Sequence, residues 1–68
     1  MIGIETVRIV RLAYDGARGA FAGRVDVARG GVTFRYPCEV TAPQDADPAW
    51  VADALTARAL AMSDSRLH

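Results

Sequence analysis

The side chains best suited to covalent or acid–base chemistry are few in this chain of 68 residues. It contains one cysteine, Cys38, one histidine, His68, and no lysine. A cysteine nucleophile needs a base within hydrogen-bond reach, and the histidine is the last residue of the chain. Cys38 lies among alternating apolar residues, so we expect a buried thiol that resists deprotonation. One cysteine and one histidine are also too few for a zinc site within one chain.

The acidic and glycine residues indicate no catalytic, metal or cofactor site either. Asp45 and Asp47 lack the further oxygen ligands and the glycine spacing of a calcium loop. We interpret them as acids that cap a helix and offset its dipole. Gly16 and Gly19 precede a predicted strand, so no helix N-terminus is available there to a phosphate. We therefore expect a protein that is not an enzyme and holds no cofactor or metal.

Charge is unevenly distributed along a chain whose formal net charge is zero. Residues 1–36 contain six arginines and three acids, and residues 37–68 contain two arginines and five acids, so the halves carry +3 and −3. We expect the two halves to meet in the fold and neutralise each other.

Three arginines could nevertheless form a patch that binds phosphates. Arg24, Arg29 and Arg35 lie on or beside the predicted outer face of a sheet. The other interpretation is a solvated sheet face on which Asp26 and Glu39 balance these charges. The aromatic residues fall on the opposite parity, so no platform for stacking bases is expected.

Two stretches alternate between apolar and polar residues, as expected for strands with one face in water. They cover about residues 20–28 and 32–41, and a turn at Arg29-Gly30-Gly31 separates them. The expected register places Val27 opposite Val32. It also places Val25 opposite Phe34, Gly23 opposite Tyr36 and Arg24 opposite Arg35. Pro37 cannot donate to a β-ladder, which predicts that the last of these strands is an edge strand.

A first strand over residues 4–14 has a mixed pattern. Val7 and Ile9 share one parity, whereas Val10, Leu12 and Tyr14 share the other. Either a bulge near Ile9 and Val10 resets the phase, or both faces of the strand are covered. A partner subunit could cover the second face.

A helix is expected over residues 48–62, because Asp47 is a good N-cap and proline suits the first helical position. One apolar stripe contains the five residues Val51, Ala54, Leu55, Ala59 and Met62, and Arg58 falls within the same stripe. Trp50 and Leu60 fall outside it, so the helix is apolar on more than one side. Trp50 is either buried against a loop or an exposed anchor for a partner. Residues 63–68 are expected to form a frayed tail.

These elements predict an α+β fold with two layers in β-β-β-α order. We expect residues 1–68 to form one small domain, in which a three-stranded antiparallel meander carries one C-terminal helix on one face. This order occurs in too many small domains to indicate a family. No stretch is typical of a signal peptide or a membrane span, and a single free cysteine fits the cytoplasm.

The function best supported by this pattern is a non-catalytic protein-interaction module that self-associates, most simply as a homodimer. Small domains are marginally stable alone, and an unknown protein partner is an alternative to a second copy. The residues expected at the interface are Trp50, Leu60, Val7 and Ile9. A nucleic-acid-binding accessory protein that uses Arg24, Arg29 and Arg35 is the less favoured alternative. A regulatory small-ligand domain within a larger assembly is a third.

Overall fold

The computed structural model describes residues 3–65 and confirms the α+β fold with β-β-β-α order. Strands β1 (Ile4–Asp15), β2 (Ala20–Arg29) and β3 (Val32–Thr41) form one antiparallel sheet in the order β1-β2-β3. Helix α1 (Pro48–Ser65) follows and packs on one face of this sheet. Because β2 lies in the centre, β1 and β3 are the two edges, as Pro37 in β3 predicted.

The core lies between the helix and the apolar parity of the strands. Val25 and Val27 of β2 and Leu55 of α1 are fully buried. The rest of this core consists of Tyr36, Cys38, Val40, Val51 and Ala59. The buried helical residues Val51, Leu55 and Ala59 follow each other at intervals of four, which places them on one side of α1. We call the sheet face under the helix the inner face and the opposite one the outer face.

The β2–β3 register differs from the predicted one by two residues. Arg29 pairs with Val32, so Val27 lies opposite Phe34 and Val25 opposite Tyr36. The loop is therefore only Gly30-Gly31, and both glycines have positive φ, 61° and 78°. Two such residues form the tight turn whose twist matches that of the strands. A shift of two residues preserves the parity, so the assignment of residues to the two faces was correct although their partners were wrong.

The predicted outer-face pair of Arg24 and Arg35 is wrong for the same reason. Asp26 lies opposite Arg35, and Arg24 lies opposite Pro37. Gly23 likewise faces Cys38 rather than the ring of Tyr36.

A bulge in β1 explains its mixed pattern. Val10 pairs with Arg24 and Ala13 pairs with Ala22, so Arg11 and Leu12 together lie opposite Gly23. Of the two interpretations of this strand, the structure has the bulge, two residues beyond the predicted position. A second irregularity lies between Ile4 and Thr6.

The bulge is strained at its first residue. Arg11 has φ 59°, a left-handed conformation that costs a residue with a Cβ roughly 1–2 kcal/mol. Glycine usually occupies this position in bulges of this kind. Gly23 lies opposite the bulge, and a Cβ there would make ordinary van der Waals contact with Leu12, 3.4 Å from its Cα.

Local hydrogen bonds fix the turn between β1 and β2 and the start of α1. The Asp15 Oδ1 accepts the backbone N–H groups of Ala17 and Arg18 at 3.0 and 3.3 Å, and Gly19 supplies a φ of 63°. At the start of α1, the Ala49 N–H donates to Asp47 Oδ1 at 3.0 Å, as expected for an N-cap.

The helix runs three residues past its predicted end. It continues to Ser65, and Ser63 is buried, so the predicted tail from residue 63 is wrong up to residue 65. The remaining part of that predicted tail, residues 66–68, lies outside the described residues.

The N-cap gives a direct test of how this helix is held. Asp47→Ala is expected to lower the free energy of unfolding by about 1 kcal/mol, because the Ala49 N–H loses its acceptor and the first turn loses a nearby negative charge. Urea denaturation followed by circular dichroism measures this. Asp45→Ala is the matched control, since Asp45 is exposed and precedes the cap. Equal losses in both variants would contradict capping by Asp47.

Candidate functional site

Two broad surfaces remain open to solvent because α1 covers only the inner face of the sheet. One is the solvent side of the helix, and the other is the outer sheet face.

The solvent side of α1 carries an uncharged line of side chains between the exposed residues Asp53 and Arg58. Trp50 is 52% exposed, which settles its placement as an exposed side chain rather than one packed beneath a loop. Ala57 and Ala61 are exposed, and Ala54 is half-buried. These four residues are spaced by four, three and four positions, so they form one continuous line along the helix. We call them the Trp50 seam.

The remaining predicted interface residues lie elsewhere. Val7 and Ile9 are on the inner face of β1, opposite Val27 and Val25, and pack against the core while staying half-buried. Leu60 is also half-buried against the core. The helix lies mainly over β3 and β2 and only slightly over β1. Incomplete cover by the helix therefore accounts for the partial exposure of Val7 and Ile9.

Arg58 is not part of the buried stripe. Its side chain is exposed beside a groove that the helix forms with β3, where Glu39, Thr41 and Met62 are its neighbours. The sequence placed Arg58 in the stripe because its angular position lies near Val51. In the fold this angle points past the edge of β3.

The three arginines predicted to form a patch do not all share a surface. Arg24 and Arg35 are on the outer face, in neighbouring strands. Arg29 has the parity of the inner face, and its Nε and Nη1 atoms are buried. Arg29 therefore lies apart from the arginines of the outer face, which corrects its expected place in that patch.

Arg11, and not Arg29, is the third arginine beside Arg24 and Arg35. Together with Arg24 and Arg35 it borders an open hollow on the outer face, with a volume of about 640 Å³. The floor of this hollow is made of small or compact residues, Ala13, Ala22, Gly23 and Pro37. In the sequence, only the change of parity in β1 indicated that Arg11 has an unusual position, because the bulge at this residue produces that change.

Salt bridges on this face engage both of its carboxylates. Arg24 donates from Nε to Asp26 Oδ1 at 3.0 Å and from Nη2 to Oδ2 at 3.4 Å. Arg18 Nη2 lies 3.0 Å from Glu39 Oε1, the ion pair that joins the two halves of the chain. Asp45, Asp47 and Asp53 are exposed and form no ion pair within residues 3–65. The expected mutual neutralisation of the halves is therefore partial.

Cys38 lacks the environment of a reactive thiol. Its side chain is buried, and its Sγ donates weakly to the Tyr36 carbonyl oxygen at 3.5 Å. Burial raises the pKa of the Cys38 thiol, and the nearby charge of Arg58 offsets this only in part. His68, the one histidine of the sequence, lies outside the described residues.

Within residues 3–65, no group of three or more histidine, cysteine, aspartate or glutamate side chains is arranged to hold a metal ion. Over the same span, the structure contains no helix with the length and apolarity needed to cross a bilayer.

Comparison with known proteins gives no family or relative. No protein-family model, no curated protein and no solved structure matches this chain.

The state of Cys38 can be tested by its dependence on pH. The pKa of the Cys38 thiol is higher in the folded protein than in the unfolded chain, where it has the ordinary value of about 8.5. The stability that this difference contributes is fully present below the ordinary value and is lost as the pH rises through the folded value. We expect the free energy of unfolding to fall more steeply above that pH in the native chain than in Cys38→Ala. Parallel curves for the two proteins would contradict a raised pKa.

Proposed function

We propose that this protein is a non-catalytic interaction module that self-associates as a homodimer through the Trp50 seam. The observation that carries the proposal is the exposed indole of Trp50 on the uncharged line of the solvent side of the helix. Tryptophan is the residue type most enriched among the energetically dominant residues of interfaces.

The spacing of the seam supports a second copy as the partner. Two α1 helices can pack antiparallel about a two-fold axis, which places the same surface of each subunit in the interface. In such a pair the indole of Trp50 lies near one end of its helix and meets the other end of the partner helix. Ala57 and Ala61 occupy that end, and their small side chains leave room for a large ring at the close helix distance of about 8–10 Å.

Charge on the seam supports the same arrangement. Asp53 and Arg58 flank the seam on opposite sides, and the four seam residues between them, Trp50, Ala54, Ala57 and Ala61, carry no charge. An interface centre free of charged groups avoids the desolvation cost of burying ions. We further propose a cytoplasmic location, because a single buried cysteine that forms no disulfide suits a reducing compartment.

The seam can be tested by analytical ultracentrifugation across a wide range of protein concentration. Trp50→Ala is expected to weaken the dimer by at least about 2 kcal/mol, roughly thirtyfold in Kd, since each subunit loses the largest apolar side chain of the seam. Ala57→Arg is expected to abolish the dimer, because it places a charge where the helices are closest. Both positions are exposed in the monomer, so circular dichroism should show the fold unchanged.

Val32→Ala is the matched control for Trp50→Ala. Val32 has the same exposed fraction, 52%, but lies beside the Gly30-Gly31 turn, away from α1. A native chain that sediments as a monomer at all concentrations would overturn the proposal. Equal weakening of the dimer by the Val32 and Trp50 variants would place the interface elsewhere.

A further inference from the structure

The outer sheet face collects positive charge from all three strands. One row across the sheet consists of Arg8 in β1, Asp26 in β2 and Arg35 in β3. Arg24 lies next to this row on β2, and Arg11 stands at the bulge on the rim of the hollow. The arginines of this face therefore come from strands that are distant in sequence but adjacent in space.

The carboxylates of this face do not balance its arginines. Asp26 is held by Arg24, and Glu39 is held by Arg18. Within residues 3–65, no carboxylate forms an ion pair with Arg8, Arg11 or Arg35. Three guanidinium groups on one face thus keep their donors available to an external anion, and guanidinium matches phosphate geometry well.

Arg11 is the residue that most clearly points to a ligand. It occupies a strained left-handed position that glycine would adopt without strain. Backbone strain is retained where the side chain has a role, and an arginine here adds a third guanidinium to the rim of the hollow beside Arg24 and Arg35. The position of the side chain on this rim, beside two other guanidinium groups, is the observation that favours anion binding.

The shape of the hollow selects the class of anion. It is broad and open, whereas sites for small molecules enclose most of the ligand surface. An open basic face suits an extended polyanion whose charges repeat. The aromatic residues Phe21, Phe34 and Tyr36 share the inner-face parity, so this face offers no ring on which a base could stack.

We propose that the outer sheet face binds the phosphodiester backbone of nucleic acid without reading its sequence, with Arg8, Arg11 and Arg35 as the phosphate contacts. An anionic membrane is less suited to this surface. Membrane-surface binding needs large apolar side chains among the cations, and the residues that border the hollow are small or charged. This site lies on the opposite side of the sheet from the Trp50 seam, so it does not depend on self-association.

Fluorescence anisotropy with labelled single-stranded RNA and duplex DNA of mixed sequence tests this site. The oligonucleotides should be too short to bridge two protomers, so that avidity does not contribute. Three phosphate contacts predict a slope of log K against log salt of roughly −2 for the single strand and −3 for the duplex. Sequences of different composition should bind equally well.

Arg11→Gly separates binding from folding. It removes one phosphate contact, so we expect weaker binding and a salt slope smaller in magnitude by about one. It also relieves the strain of the bulge, so the thermal midpoint should stay the same or rise. Arg58→Ala is the control, because it removes the same charge from the helix side of the molecule and should leave the affinity unchanged.

Three outcomes would overturn the proposal. The first is no binding of either nucleic acid at low salt. The second is equal weakening by Arg11→Gly and Arg58→Ala, which would indicate attraction to overall charge rather than a site. The third is binding to vesicles of anionic lipid that Arg11→Gly weakens while neither nucleic acid binds. A loss of the dimer in Trp50→Ala with nucleic-acid binding retained leaves the proposal supported.

Discussion

The fold depends on contact between one strand and one helix. Val25 and Val27 of the central strand and Leu55 of the helix are fully buried, and the rest of the core surrounds them. A domain of this size can cover only one sheet face with one helix. That limit leaves the outer sheet face and the solvent side of the helix open. Both proposed binding surfaces are consequences of it, one apolar and the other cationic.

The sequence predicted the fold class, the three strands and the start of the helix, because each depends on local signals. Alternation identifies a strand from its own residues, and Asp47 with Pro48 marks a helix start within two positions. The strand register was predicted incorrectly, because the observed loop Gly30-Gly31 and the longer loop of the predicted register place the same residues on each face of the sheet. Only the φ angles of the two glycines distinguish these turns.

The candidate sites were predictable only in part, because they are assembled from distant positions. Trp50 was recognised from its angle on the helix, but its exposure depends on where the helix lies over the sheet. Alternation along the strand already places Arg24 and Arg29 on opposite faces of the sheet. Because Arg29 lies next to the turn, the sequence predicted it as part of the turn rather than on a face. Arg11 could not be assigned to a face without the bulge, since a bulge changes the parity of every residue that follows it.

The bulges of β1 and the proline of β3 have a consequence for the edges of the sheet. A regular edge strand offers unpaired amides to any other extended chain, which is the route to amyloid growth. Here one border is bent out of regular pairing at two points, and the other lacks a donor at Pro37. Fibrillar stacking is thereby disfavoured along both borders, so crowded or concentrated solutions should leave the chain in discrete particles.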